Sequence, residues 1–232
     1  MQEELGRPKF NRAYTGRRQD IVSLVPKLCS RVLDVGCGTG EVGNQIKAQR
    51  TGDISVVGIE LNEEMAQVAT AHLDHVIVGD VEHIDLQANL GDWRFDTIIV
   101  ADILEHLRDP WTTLENLISY LTDDGVIIIS IPNVRHITTL FSLIIKSYWP
   151  YRDRGIHDVT HLRFFARQNL HMLVSGAGLE MIQVRRLYRL TDRPHRINKV
   201  ALLLALPLLR DFVTYQYVIV ARKSRTSRKT SS

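Results

Sequence analysis

The chain has 232 residues, 44% of them hydrophobic and 24% charged, with a formal net charge of +3. That length supports one α/β domain with a sizeable core, and the composition is that of an ordinary globular protein. Much of the positive excess lies between Arg222 and Lys229, so the body is near neutral and composition gives no case for a nucleic-acid partner. Two cysteines, Cys29 and Cys37, give neither a disulfide framework nor a zinc cluster and fit a reducing compartment. Met1 to Phe10 is polar and lacks a signal-peptide core. The longest apolar run, Val200 to Leu209, is too short to span a bilayer and contains Pro207. A cytoplasmic location is the expectation.

Residues 1–12 are expected to be loosely ordered. Tyr14 to Leu28 has helical spacing through Ile21, Leu24 and Val25. Arg31–Val35 then reads as a short buried strand. Gly36, Gly38 and Gly40 alternate in a tight turn after it, and Glu41 onward opens a helix. A strand, a glycine turn and a helix start make the first half of a nucleotide-binding βαβ unit. Without Cβ atoms, the backbone turns sharply and lets a ligand rest on bare amides near the positive end of the helix. The glycines run G-x-G-x-G after an acid, Asp34, rather than G-x-G-x-x-G, and no lysine stands in the P-loop position. Such an acid repels a pyrophosphate and can hold a cation.

Ile54 to Ile59 is β-branched and predicts a second strand, ending at Glu60, twenty residues beyond Gly40. A carboxylate at that tip can accept two hydrogen bonds from a ribose diol. Asn62 is the expected N-cap of a helix over Glu63 to Leu73. His75 to Val78 is a third strand, followed by Gly79-Asp80-Val81-Glu82. Phe95 to Val100 is a fourth, with Asp96 early in it and Ala101-Asp102-Ile103-Leu104-Glu105-His106-Leu107 at its carboxyl end, where ligands gather in open α/β sheets. Asp109 and Pro110 start a helix that runs to about Leu121 and is stopped by Asp123-Asp124-Gly125. Gly125 to Ile131 is a fifth strand, apolar enough for burial on both faces. The alternation predicts a parallel, doubly wound sheet.

His136 to Trp149 is apolar and aromatic. It reads as a helix that roofs an acceptor pocket or as plain core, with a membrane-surface or dimer contact as a further reading. In Tyr151 to Phe165, His157, Asp158, His161 and Arg163 fall within seven positions. Two histidines at i and i+4 on a helix face can ligate a metal, but no third ligand is evident. Acceptor binding or base catalysis competes with a structural knot in which Asp158 and the histidines satisfy loop amides. Ala166 to Ala177 is a helix closed by Gly176 or Gly178, Leu179 to Leu187 a strand, Asp192 to Asn198 a loop, Lys199 to Leu209 an apolar helix and Phe212 to Val220 a last strand. Arg222 to Ser232 is a basic, serine-rich tail, expected to be disordered.

Asp34, the three glycines, Glu60, Asp80 and the segment from Ala101 to Leu107 together resemble the class I S-adenosylmethionine (SAM) dependent methyltransferases, over most of residues 12–221. The resemblance implies an α/β fold: a doubly wound, mostly parallel seven-stranded Rossmann-like sheet closed by an antiparallel pair. One domain, residues 1–221, would carry an acceptor-side insertion at about 133–165. By the same resemblance Asp34 and the loop of Gly36, Cys37, Gly38 and Gly40 face the methionine end of SAM. Glu60, with Leu61 beside it, meets the ribose. Asp80 and Val81 meet the adenine, and Ala101, Asp102 and His106 lie beside adenine and methyl. Tyr14 reaches the ligand from the preceding helix. The histidine-rich stretch resembles a bacterial subgroup associated with surface-glycan and natural-product pathways.

SAM presents its methyl on a positive sulfonium, so alignment of the acceptor is the main task. A hydroxyl acceptor also needs a base, and a histidine suits it. His157 and His161 are the first candidates, His106 the reserve, and Asp158 the group that orients one of them; no resident metal is expected. The expected activity is methyl transfer to a hydroxyl of a sugar or glycan-linked intermediate, leaving S-adenosylhomocysteine (SAH). A quinone- or polyketide-type small molecule, and a SAM-binding partner subunit without turnover, are the alternatives. The chain is expected as a monomer or homodimer, with peripheral membrane contact open.

Overall fold

A computed structural model of the chain describes residues 17–50, 52–191, 198, 201, 206–207 and 209–224. Tyr14, residues 1–12, most of the expected loop and helix over 192–209, and residues 225–232 of the basic tail lie outside the described residues. The elements in order are α1 (Gln19–Val22), β1 (Arg31–Val35), α2 (Glu41–Ala48), β2 (Ser55–Glu60), α3 (Glu63–Ala69), β3 (His75–Val78), α4 (Leu86–Leu90) and β4 (Phe95–Ala101). A single 3₁₀ turn, Leu104–His106, leads to α5 (Pro110–Ile118), β5 (Leu121–Pro132), α6 (Ile137–Lys146), α7 (Arg167–Gly176), β6 (Leu179–Tyr188), α8 (Arg210–Val213) and β7 (Thr214–Lys223). The sheet has seven strands in the order β3-β2-β1-β4-β5-β7-β6. The chain divides into two compact units, Met1–Val100 with Asn116–Ile128, and Ala101–Glu115 with Ile129–Ser232.

In the first unit β1 pairs in parallel with β2 on one side and β4 on the other, and β3 adds outside β2. Val32, Leu33, Val56, Val57, Ile98 and Ile99 are fully buried. Each such side chain contributes about 1.5–3 kcal/mol of transfer free energy. Asp96 secures the start of β1, its Oδ2 accepting from Ser30 N and Oγ at 2.8 Å and from Arg31 N at 3.0 Å. Burial works against that charge, but the hydrogen bonds prevail and hold the carboxyl below its usual range. Asn62 caps α3 as expected, accepting from Met65 N at 2.9 Å. Such a cap contributes about 0.5–2 kcal/mol. The helix stops at Ala69, short of the expected Leu73. Asp85 caps the unforeseen α4 in the same way, accepting from Ala88 N at 2.9 Å.

Strand β5 begins at Leu121, four residues before the expected Gly125. Leu121 is buried, and the preceding carbonyl of Tyr120 already accepts from Phe95 N at 2.8 Å. Backbone pairing thus carries the exposed Asp123-Asp124 pair within the strand, where local turn propensity alone would break it. Likewise α1 keeps only Gln19–Val22 of the helical pattern that runs on toward Pro26.

In the second unit β6 and β7 pair antiparallel, the expected closing pair. Asn133 is fully buried where the chain leaves β5. Its Nδ2 donates to Asp211 O and Thr214 O, both at 2.8 Å, and its N donates to Tyr215 O at 2.9 Å. A single parallel bridge joins Asn133 to Phe165, with Val134 N donating to Phe165 O at 3.0 Å. Helix α6 lies between these two residues and is not core. Its buried residues are the polar Thr139 and Ser142, while Ile144 and Ile145 are 72% and 66% exposed. Among the described residues no helix is long and apolar enough to cross a membrane.

Candidate functional site

In the first unit the glycine turn is pinned to the neighbouring strand: Gly36 N and Cys37 N both donate to Ile59 O, at 2.8 and 3.1 Å. Gly36, Gly38 and Gly40 have φ of 71°, 57° and 78°, a left-handed backbone that residues with a Cβ seldom adopt. Gly58 on β2 permits the close approach, since a Cβ there would lie 2.5 Å from Cys37 Sγ. The Glu60 carboxylate ties the loop to the start of α3. Oε2 accepts from Gly38 N at 2.8 Å and Oε1 from Asn62 N at 2.9 Å. Each oxygen retains a lone pair for a further donor.

Asp34 is 3% exposed, and its Oδ2 has no hydrogen-bond partner among the described residues. Burial, then the nearby Glu60 charge, raises its pKa to about 7, with Arg18 opposing. A cation brought beside it would favour the ionised form. A buried, unsatisfied acid, a left-handed loop of bare backbone and a second carboxylate at the loop's edge fit the cationic and diol parts of SAM. The Cys37 thiol is pushed up by burial and by Asp34, so it is inert packing rather than a nucleophile. Asp80 caps its own turn, Oδ1 accepting from Glu82 N at 2.9 Å and Oδ2 lying 2.8 Å from His83 Nδ1. Val81 beside it is half-buried and Leu61 is exposed.

The second unit carries the other predicted residues. Ala101 ends β4, and Asp102 follows with φ 58°, a strained value for a residue with a side chain. It is over-determined by its surroundings: its N donates to Ser130 O at 2.9 Å, and its Oδ1 is held by Ser130 Oγ at 3.4 Å and by Gln216 Nε2. Two turns of chain far apart in sequence are stapled through Glu105, whose carbonyl accepts from Leu162 N at 2.8 Å and Arg163 N at 2.9 Å. The rings of His106 and His161 meet edge to face at 4.7 Å between centroids.

The hydrogen bonds fix both tautomers. His161 Nδ1 lies 3.2 Å from Ile156 O, which can only accept, so Nδ1 carries the proton. Thr160 Oγ1 gives its proton to Asp158 Oδ1 at 2.7 Å, so at 3.0 Å it accepts from His106 Nδ1. Each imidazole therefore keeps a lone pair on Nε2. Burial lowers the pKa of His106, against the opposing charges of Asp158 and Asp102. Burial and then the neighbouring His106 lower His161 to about 4. Both rings are neutral at pH 7.

His157 differs. It is 1% exposed, with Nε2 3.0 Å from Thr139 Oγ1 and its ring against Trp149 at 5.2 Å. Such a site serves packing rather than proton exchange with an acceptor, so the base role expected for His157 does not fit. The segment is a series of turns, so His157 and His161 do not share a helix face. Asp158 Oδ1 meets Thr160 Oγ1, which in turn meets His106 Nδ1. Glu105 and Thr160 were missed in the sequence, where the one signal was that Glu105 directly precedes His106.

Solved structures resemble the fold. A SAM-dependent methyltransferase from Archaeoglobus fulgidus superposes with a TM-score of 0.63 at 22% identity, covering 92% of this chain and 98% of that one. The plantazolicin methyltransferase BpumL, solved in complex with SAH, gives 0.62 at 17% identity and covers 96% and 93%. In sequence, the chain is 29% identical over 154 residues to a ubiquinone biosynthesis O-methyltransferase of Psychrobacter arcticus, 64% of this chain but only 58% of that protein's length. A protein of the same description from Neisseria meningitidis serogroup A is 26% identical over 174 residues, 72% of this chain and 71% of the relative. Residues 8–184 match the family model described as a methyltransferase domain, and to that family the chain belongs.

Proposed function

We propose that the protein transfers a methyl group from SAM to a hydroxyl of a small-molecule acceptor. The observation that carries this reading is the pair Asp34 and Glu60 about the left-handed glycine loop, a buried unsatisfied acid beside a loop-holding carboxylate. Bound there, SAM supplies an electrophilic methyl on a positive sulfonium. Asp34 offers its charge to that cation, Glu60 accepts from the ribose hydroxyls, and Asp80 with Val81 holds the adenine. The acceptor's oxygen is assigned to His106 and His161, whose Nε2 lone pairs are held out by fixed Nδ1 partners.

Two observations favour an aromatic, quinone-type acceptor over the sugar or glycan-linked one expected from the sequence. The relatives are named ubiquinone biosynthesis O-methyltransferases. The second unit also has a groove in which the apolar Trp111, Phe164, Phe165 and Met172, suited to a ring, stand with the polar Arg163 and Asn169. The outward apolar face of α6, ending in Lys146, supports contact with a membrane surface, where such acceptors partition.

Calorimetry with SAH and transfer of labelled methyl from SAM test the reading. Binding of SAH with methylation of catechol- or hydroquinone-type compounds is the expected result. Methylation confined to nucleotide sugars would return the acceptor to the glycan class. SAH binding without transfer to either panel would favour a non-catalytic subunit, and absence of SAH binding would overturn the assignment.

A further inference from the structure

We infer that Glu105, His106 and His161 form a binding site for a divalent transition-metal ion. One ligand atom from each of the three lies within 4.8 Å of the others. Bonds to imidazole nitrogen and carboxylate oxygen are about 2.0–2.2 Å, so each side chain needs to close by only about 1 Å. The backbone sets this closeness, because the Glu105 carbonyl takes the N–H groups of Leu162 and Arg163 and so fastens the residue after His161 to the residue before His106.

What surrounds the three is what a metal site requires. A ligating histidine commonly gives its second ring N–H to a carbonyl, carboxylate or hydroxyl, which fixes the tautomer and ring orientation. Here His161 has Ile156 O in that place, and His106 has Thr160 Oγ1, itself backed by Asp158. Both histidines thus present Nε2. Glu105 completes the set as a side chain held at 1% exposure. Two nitrogens and one carboxylate select zinc, iron, manganese or cobalt over calcium and magnesium, which prefer all-oxygen shells. Three protein ligands leave coordination positions open.

The use of those positions rests on the methyl-transfer reading. An acceptor hydroxyl bound there becomes more acidic and releases its proton to solvent. The oxygen then forms its bond to the methyl carbon as the C–S bond breaks, and the sulfonium becomes a neutral thioether.

The full-length chain, stripped with EDTA and titrated with Zn²⁺ in the absence of SAM, should bind one ion. Co²⁺ should give visible absorption of a low-coordinate nitrogen/oxygen site. Glu105→Gln and His161→Ala should each weaken Zn²⁺ by at least about tenfold, while His171→Ala, on the exposed face of α7, should not. Because Glu105 is buried, thermal unfolding with and without Zn²⁺ is read in parallel: the ion should raise the midpoint of the wild type and not of folded His161→Ala. No Zn²⁺ binding by the wild type, or equal binding by His161→Ala, would overturn the site. Retained Zn²⁺ binding without methyl transfer would overturn the activity and leave the site standing.

Discussion

Replacing Glu60 by Gln keeps the side chain's shape and removes its charge. In the wild type its two oxygens accept from Gly38 N at 2.8 Å and Asn62 N at 2.9 Å. A glutamine can supply a carbonyl to one of these donors only, and its NH₂ group then faces the other. A hydrogen bond to a charged group contributes about 1.5–3 kcal/mol, so loss of one in the loop, or its equivalent to the ribose, lowers SAH affinity by about 10- to 140-fold. The same change removes the Glu60 charge that helps hold Asp34 up at about 7, so Asp34 ionises more readily. Titration calorimetry at pH 6, in buffers of different ionisation enthalpy, measures both effects. The wild type should release a proton from Asp34 when cationic SAM binds, and Glu60→Gln should release less while binding more weakly. Equal affinity together with an equal proton count would refute the coupling of the two carboxylates and the loop.

Other consequences are tested separately. The folded-state pKa of Asp34 is raised, so its contribution to stability is full below its ordinary value near 3.8 and is lost as pH climbs to about 7. Asp34→Asn should therefore flatten the decline in unfolding free energy over that window, measured by urea denaturation. His157→Ala, which empties a buried position against Thr139 and Trp149, should lower the melting temperature, whereas His161→Ala should lower turnover with SAH affinity intact. The reverse pattern would exchange their roles. Ser147 closes α6 with φ 49° and ψ 42°; Ser147→Gly removes the Cβ penalty there and should stabilise the fold by about 1 kcal/mol in denaturant. Ile144→Asp should abolish co-sedimentation with anionic liposomes, and failure of the wild type to sediment would end the membrane reading.

The glycine turn and the carboxylate at the tip of β2 were legible because their demands are local. Alternating glycines after an acid need a left-handed turn wherever they occur, and Glu60 sits where the next strand must end. The caps at Asn62 and Asp109 were legible for the same reason; Asp109 Oδ1 accepts from Thr112 N at 3.1 Å. Tertiary pairing defeated the local reading at β5, where the exposed Asp123-Asp124 pair resembles a stop and the ladder runs through it. The acceptor side was hardest. Nothing in the spacing of His157 and His161 tells which is sealed against Trp149 and which meets His106, because that depends on Glu105 capturing two amides from some sixty positions away. Helix α6 misled through its composition, since its polar Thr139 and Ser142 are the buried ones.

The junction at Asn133 and Phe165 has a wider meaning. Asn133 and Phe165 bring together the two ends of the segment from Val134 to Phe164. Lengthening a closed loop costs only about 0.6 kcal/mol per doubling, far less than disturbing the strands behind it. A protein engineer seeking new acceptors can thus vary the stretch between those fixed ends, keeping Asp158, Thr160 and His161, without retuning the sheet.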